Sequence, residues 1–401
     1  MSSGRRNIHT ITAAEMREIN RSSILEMIRS NSPISRTQIA EDLQVSLPTV
    51  MRIVDELMED ELIIEDGERE WSGGRKRKRL IFNGSQHIVI GIDLGGTKIY
   101  GAVADYNGKI LHEIREEHHQ TQAEESLAYL CSIIDQLLKF SENTNLPIRG
   151  IGIGVPGVVQ PNTGIVEIAP ALDWIDFPLK SRIEERYQYP IAIDNDVNLA
   201  ALGEMWFGTH VEENNLVLLT IGTGIGAGII INGMVYGGSH NLAGEVGYFL
   251  PDRSCLGQKY PGFGALEQLA SGTGITNRAR AALADSMPLD QLEKITAYDV
   301  FDAVRRGEKW SETVFEETVD YLAQLIGGIS TIFDPDVILL GGGVSRSADL
   351  LIEPICNRLL DTILFVPKIR ASELGYQAAV MGAIIRLLRM TSNYYLLQKF
   401  V

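Results

Sequence analysis

Gly91-Ile92-Asp93-Leu94-Gly95-Gly96-Thr97-Lys98 is the stretch on which the reading of this chain turns. An apolar run, Ile88 to Ile92, leads into it, and another, Ile99 to Ala104, leads out. The pattern is strand, tight turn, strand. Asp93 stands where the first strand ends. Gly95 and Gly96 carry no Cβ, so the backbone there can come close to a ligand. Amide N–H groups lining such a turn can cradle phosphate oxygens, and Asp93 could hold a hydrated Mg²⁺ beside them. A hairpin turn that merely needs glycine would read the same way.

A second copy separates these readings. Val217 to Thr220 is again an apolar strand, entering Ile221-Gly222-Thr223-Gly224-Ile225-Gly226-Ala227-Gly228, and Ile229 to Ile231 follows. Asn232-Gly233 then gives a hairpin signal, just as Asn107-Gly108 does after the first copy. Repetition of a whole strand–turn–strand unit points to two similar lobes facing across a cleft. A third cluster, Gly341-Gly342-Gly343, closes the buried-strand run Val337 to Leu340.

In order, spacing and flanking strands, Ile88 to Arg389 resembles the ROK family (repressors, open reading frames and sugar kinases). That resemblance implies an α/β, two-lobed actin-like or ribonuclease H-like ATPase fold. Asp93, Gly95, Gly96, Thr97 and Lys98 look like the family's first phosphate motif. Gly222, Thr223 and Gly224 look like the second, and Gly341, Gly342 and Gly343 like its adenosine motif. Asp194-Asn195-Asp196 follows the apolar run Ile191 to Ile193. By resemblance Asp196 is the general base of a kinase and Asn195 a sugar-hydroxyl ligand. A plain alternative is that Asp194 or Asp196 only caps the following helix. Glu245, Tyr248 and Glu267 stand at further sugar-binding positions of the family. The family's zinc motif is lost, with Tyr248 at its histidine position and Gln258, Tyr260 and Ala265 at its cysteine positions. The resemblance therefore implies no zinc and no required cofactor, with Mg-ATP bound only where kinase activity is retained.

Residues 1–86 read as a separate module. Ala13 to Arg29 has helical periodicity, and Ser32-Pro33-Ile34-Ser35 breaks it. Ser35 is a good N-cap for a short helix to Leu43, and Ser46 for one from Leu47 to about Glu59, with Pro48 in its first turn. Two short helices joined by Gln44-Val45-Ser46 look like a helix-turn-helix. Its second helix would offer Ser46, Pro48, Thr49 and Arg52 to base edges. Leu62 to Glu65 and Leu80 to Phe82 read as paired strands. Between them lies the basic run Arg75, Lys76, Arg77, Lys78 and Arg79, placed as the wing of a winged helix-turn-helix. Five cations on a turn suit phosphates or a narrow minor groove.

The expected organisation is thus a DNA-binding module, 1–86, and a sugar-kinase-like body, 87–401. The body divides into a first lobe of about 87–200 plus the helix at about 377–390, and a second lobe of about 201–376. The net charge is −16. Residues 1–86 hold 13 Lys/Arg against 14 Asp/Glu, or −1, so the body carries −15. The body should repel DNA and hold itself off the duplex. Three cysteines, Cys131, Cys255 and Cys356, lie far apart in sequence, which argues for a reducing cytoplasm rather than a disulfide framework. No apolar run reaches the ~18 residues needed to span a bilayer, and no secretory signal is expected.

The functional expectation is a sugar-responsive DNA-binding transcriptional regulator, a repressor of carbohydrate-utilisation genes. Its partners would be an operator duplex and a sugar or phosphosugar effector, and its form a homodimer or homotetramer. The alternative is an ATP-dependent hexose kinase carrying a DNA module. A third reading keeps DNA binding and leaves the cleft dead.

Overall fold

The computed structural model describes residues 12–66, 78–117, 122–209 and 213–391. The first lobe is a five-stranded sheet ordered Ile191–Asn195, Ile148–Val155, Ile88–Leu94, Lys98–Asp105 and Ile110–Glu117. The first three strands are mutually parallel, and the last two run antiparallel. The second lobe is ordered Lys368–Ala371, Val337–Gly341, Leu216–Ile221, Ile225–Ile231 and Met234–Val235, with the same directions. Numbered along the chain within each lobe, both sheets have the order 3-2-1-4-5. The repeat legible at the glycine turns therefore extends to the whole sheet. The central strands are apolar at nearly every position because both faces are covered.

The sheets meet through two helices that exchange lobes. Asp196–Phe207 leaves the last strand of the first sheet yet lies on the second, where a Cβ on Gly228 would stand 2.6 Å from the Ala201 Cβ. It runs as one unit across the boundary expected near residue 200. Ala378–Thr391 follows the last strand of the second sheet and lies on the first, where a Cβ on Gly91 would stand 2.6 Å from Val380 Cγ1. The two helices cross at Gly203 and Gly382. Added Cβ atoms there would lie 2.1 Å from the Ala378 carbonyl oxygen and 1.7 Å from that of Leu199. Only hydrogen fits at this crossing.

In the N-terminal module, Ala13–Asn31, Arg36–Asp42 and Leu47–Glu59 form three helices. Ser35 accepts from the Gln38 N–H and Ser46 from that of Thr49, as their cap positions in the sequence suggest. Ile63–Glu65 pairs with Arg79–Phe82. A third strand, Ile34–Ser35, joins the other edge, inside the segment expected only to break a helix. Arg75, Lys76 and Arg77 of the wing, and the aromatic tail beyond 391, lie outside the described residues.

The module does not keep a core of its own. Ile24, Leu25, Ile28, Ile53, Leu57 and Leu80 belong to one apolar cluster with Val89 and Tyr106 of the first lobe, Trp206, and Met381, Ile384 and Leu388 of the last helix. The Arg29 guanidinium lies over the Trp206 ring at 4.4 Å, and Arg389 lies 5.9 Å from the same ring. The DNA-binding module thus rests on the two helices that join the lobes.

A polar contact closes the seam. His87 is fully buried. Its Nδ1 accepts from Arg149 Nε at 2.9 Å, and its Nε2 donates to the Glu61 carbonyl at 2.8 Å. Arg149 always donates, so this geometry requires the neutral ring with its proton on Nε2. Burial pushes the His87 pKa down and Arg149 adds to this, against the Glu61 carbonyl, which favours the proton. The unfolded chain therefore binds this proton before the folded one does. The stability due to His87 is complete above the ordinary value near 6.5 and is lost as pH falls below it. The stability of wild type relative to His87→Gln, measured by denaturant unfolding between pH 8 and pH 5, is expected to fall with acidification. A pH-independent difference would show that the ring can charge in place.

Candidate functional site

The cleft is built where the swapped helices start. Asn195 ends its strand and caps helix Asp196–Phe207, its Oδ1 accepting from Val197 N at 2.9 Å and Asn198 N at 3.0 Å. Its Nδ2 donates to the Gly157 carbonyl at 2.9 Å. The cap is therefore Asn195 rather than Asp194 or Asp196. The Asn195 side chain reaches two amides of the first turn, Asp196 shares one of them, that of Val197, and Asp194 is committed elsewhere. Asp194 accepts from the Asn195 N–H and faces Arg386 Nε at 3.4 Å. Arg386 belongs to the last helix and is half-buried, so its pairing with the buried Asp194 also ties that helix to the first lobe.

Asp196 is the first residue of the helix and accepts from the Val197 N–H at 2.9 Å. Burial pushes the Asp93 carboxyl up to about 6. Burial, and then the Asp93 charge, raises Asp196 well above the ordinary carboxylate range, and Glu245 adds to it. Burial and the charge of Glu267 raise Glu245. The structure thus gathers Asp93, Asp196, Glu245 and Glu267 into one chain of mutually felt carboxyls, drawn from both lobes. Hydroxyl donors would relieve it. A carboxylate held above its ordinary pKa is also a stronger proton acceptor.

Glu267 is clamped in place. Its Oε1 accepts from the Phe263 N–H at 2.9 Å. Cβ atoms on Gly224 and Gly262 would each lie 2.5 Å from its carboxylate oxygens. Tyr248 is exposed and meets the Phe263 ring edge-to-face at 6.2 Å. Gln258 is exposed, Tyr260 lies beside Cys255, and Ala265 is buried at the start of the helix Ala265–Ala270. Among the described residues no group of three or more His, Cys, Asp or Glu side chains is placed to hold a metal ion.

The first two glycine turns adjoin these carboxyls, Asp93 and Glu267, and the third packs on Ile221 beside the second. The Gly95 N–H donates to the Lys98 carbonyl at 2.9 Å, and Gly96 packs on Ala171, leaving Thr97 and Lys98 exposed. The Gly222–Gly224 turn is braced from behind by Gly272 N–H and Thr273 Oγ1, at 2.7 and 2.8 Å. Open space lies where Gly222 would carry a side chain. At Gly341, Gly342 and Gly343 the chain turns with Gly342 at φ +76°, and the Tyr298 hydroxyl lies beside Gly343.

On the DNA-binding module, Val50, Ile53, Val54 and Leu57 of helix Leu47–Glu59 are fully buried, while Ser46, Pro48 and Arg52 are exposed and Thr49 is half-buried. Lys78 pairs with Glu65, which also takes Arg36 at 3.0 Å. Arg79 sits in the sheet, pairing in register with Ser35. Of the expected wing cations, Lys78 therefore begins in an internal ion pair that DNA phosphates would have to displace.

Sequence reasoning passed over three residues. Glu204 is fully buried and accepts from Ser372 Oγ at 2.5 Å, Leu374 N at 2.9 Å and Glu373 N at 3.3 Å. A lone carboxylate among Leu199-Ala200-Ala201-Leu202-Gly203 and Met205-Trp206-Phe207 was the available signal. His87 and Trp206 carried none, because what they touch is distant in the chain.

Comparison with known proteins agrees with these two parts. The profile of the ROK family matches residues 89–389, and one for winged helix-turn-helix DNA-binding matches residues 17–64. The putative xylose repressor of Caldicellulosiruptor sp. (strain Rt8B.4) is 31% identical over 382 residues, covering 92% of this chain and 96% of that one. The glucokinase of Halalkalibacterium halodurans is 32% identical over 313 residues, covering 74% of this chain and 94% of its own. A solved structure described as a ROK family transcriptional regulator, homolog of E. coli MLC protein, superposes with a TM-score of 0.83 at 26% identity, covering 94% and 98%. No helix among the described residues is long and apolar enough to cross a membrane. A duplicated two-lobed body joined to a winged module, matched in both parts, places this chain in the ROK family, as a member with an N-terminal DNA-binding domain.

Proposed function

We infer that the protein is a sugar-responsive, DNA-binding transcriptional repressor. One observation carries the mechanism: the apolar core of the DNA-binding module continues into the helices that join the two lobes. A ligand that draws the lobes together must move those helices, and the module rides on them. The effector needs only to bind one lobe arrangement better than the other. We propose that Asp196, Glu245 and Glu267 accept the sugar's hydroxyls and that Asn195 shapes the site, with its remaining amide proton free for the ligand. Arg52, Thr49, Ser46 and the wing would hold the operator. A homodimer or homotetramer in the cytoplasm would place two modules on one two-fold site. The relatives named xylose repressors make xylose the first sugar to test.

Glucose-sized and pentose sugars are to be titrated into the full chain bound to an operator duplex. The active sugar is expected to weaken the complex some tens to a hundredfold, a coupling of about 2–3 kcal/mol. Glu245→Gln should keep operator affinity within about twofold and lose this response. An operator affinity indifferent to every sugar would overturn the sensor reading.

The retained glycine turns support a second activity. Asp93 with Gly95–Lys98, Gly222–Gly224 and Gly341–Gly343 would hold Mg-ATP, which when bound supplies a phosphoryl group. Asp196 would take the proton from a sugar hydroxyl. Sugar-dependent ATP consumption that vanishes in Asp196→Asn would establish it, and none in wild type would exclude it.

A further inference from the structure

The groove-facing helix Leu47–Glu59 presents an apolar surface that the polar contacts above do not use. Leu47 is 41% exposed and Met51 is 49% exposed. Single exposed apolar residues are ordinary on protein surfaces. These two are not independent. Four residues apart, they lie one above the other on the same helical stripe, along the exposed border of the face that buries Val50, Ile53, Val54 and Leu57. Pro48 and Arg52, both exposed, flank them, and the next position on the stripe is Asp55, also exposed.

The stripe is therefore apolar, apolar, acidic. Phosphates would be repelled by Asp55, so this face is not shaped for the DNA backbone. Base edges in the major groove suit it. Thymine alone presents an apolar group there, its 5-methyl, and cytosine presents an amine that a carboxylate can accept from. Leu47 and Met51 are separated by about 6 Å of helix rise, close to two base steps of about 3.4 Å each. We propose that Leu47 and Met51 read two thymine methyl groups about two base steps apart in each half-site, and that they set operator sequence preference together with Arg52. This rests on the repressor reading above.

The test uses the full chain without sugar and a duplex recovered by selection from a randomised pool. Each thymine of that duplex is replaced in turn by deoxyuracil, which removes the methyl and leaves every hydrogen-bonding group. Two positions are expected to lose about fourfold in affinity each, the equivalent of one buried methyl. One of these losses should disappear in Leu47→Ala and the other in Met51→Ala. Both side chains are exposed, so neither variant disturbs the core. Deoxyuracil tolerated at every position, or losses that persist unchanged in both variants, would overturn the methyl reading while leaving the repressor reading intact. Failure to select any preferred duplex would overturn the repressor reading and this inference with it.

Discussion

Glu204→Ala is expected to lower stability by about 2–3 kcal/mol, through the loss of three hydrogen bonds to a fully buried carboxylate at the lobe junction. Glu204 is fully buried on one joining helix, and its three donors belong to residues 372–374, just before the other. Truncation removes the acceptor from three donors on a half-buried segment, the Ser372 hydroxyl and the Glu373 and Leu374 amides. Thr209 and Glu373 add a neighbouring pair, with Thr209 Oγ1 donating at 2.6 Å, but it is exposed and contributes little. The urea midpoint should fall at unchanged slope, since the surface exposed on unfolding stays the same. Glu204→Gln should be milder, because its amide oxygen still accepts while its NH₂ faces donors. A midpoint within experimental error of wild type for Glu204→Ala would mean that water replaces the carboxylate at no cost.

Gly382→Ala is the second. Alanine favours a helix over glycine by about 1 kcal/mol, so an ordinary helical site would gain stability. Here the new methyl would stand 1.7 Å from the Leu199 carbonyl oxygen, which is backbone and cannot rotate away. Relief requires the two joining helices to separate, an overpacking cost of about 3 kcal/mol or more. The net loss should be about 2 kcal/mol in the urea midpoint. Because these helices also carry the DNA-binding module, sugar and operator should lose part of their mutual influence in the same variant. A stabilised Gly382→Ala protein would show that the helices cross elsewhere than at this contact.

Some of this architecture was open to reading in one dimension. The glycine turns, the alternation of apolar strands and the Asn-Gly signals are local, and their repetition named the body before any coordinate did. The serine caps and the two short helices they begin did the same for the DNA module. The candidate carboxylates Asp196, Glu245 and Glu267 came from matching motifs, and the structure brings them together with Asp93. Other features were illegible for a physical reason. Asn195 rather than an aspartate caps its helix because Asp194 is drawn to Arg386, nearly two hundred residues away. The strand Ile34–Ser35 exists because Arg79–Phe82 offers it an edge.

By itself the sequence determined the two-part plan, the duplicated lobes, the helix-turn-helix and the set of residues from which a cleft could be made. Those signals depend on neighbours a few positions apart, where backbone geometry and side-chain period speak directly. Only the tertiary structure decided that the joining helices exchange lobes, that they cross on bare glycine, and that the DNA module shares its core with them through Trp206, Met381 and Leu388. These are contacts between segments hundreds of residues apart. Their energy comes from burial and close packing, which no local pattern encodes and which appear only when both surfaces are in place.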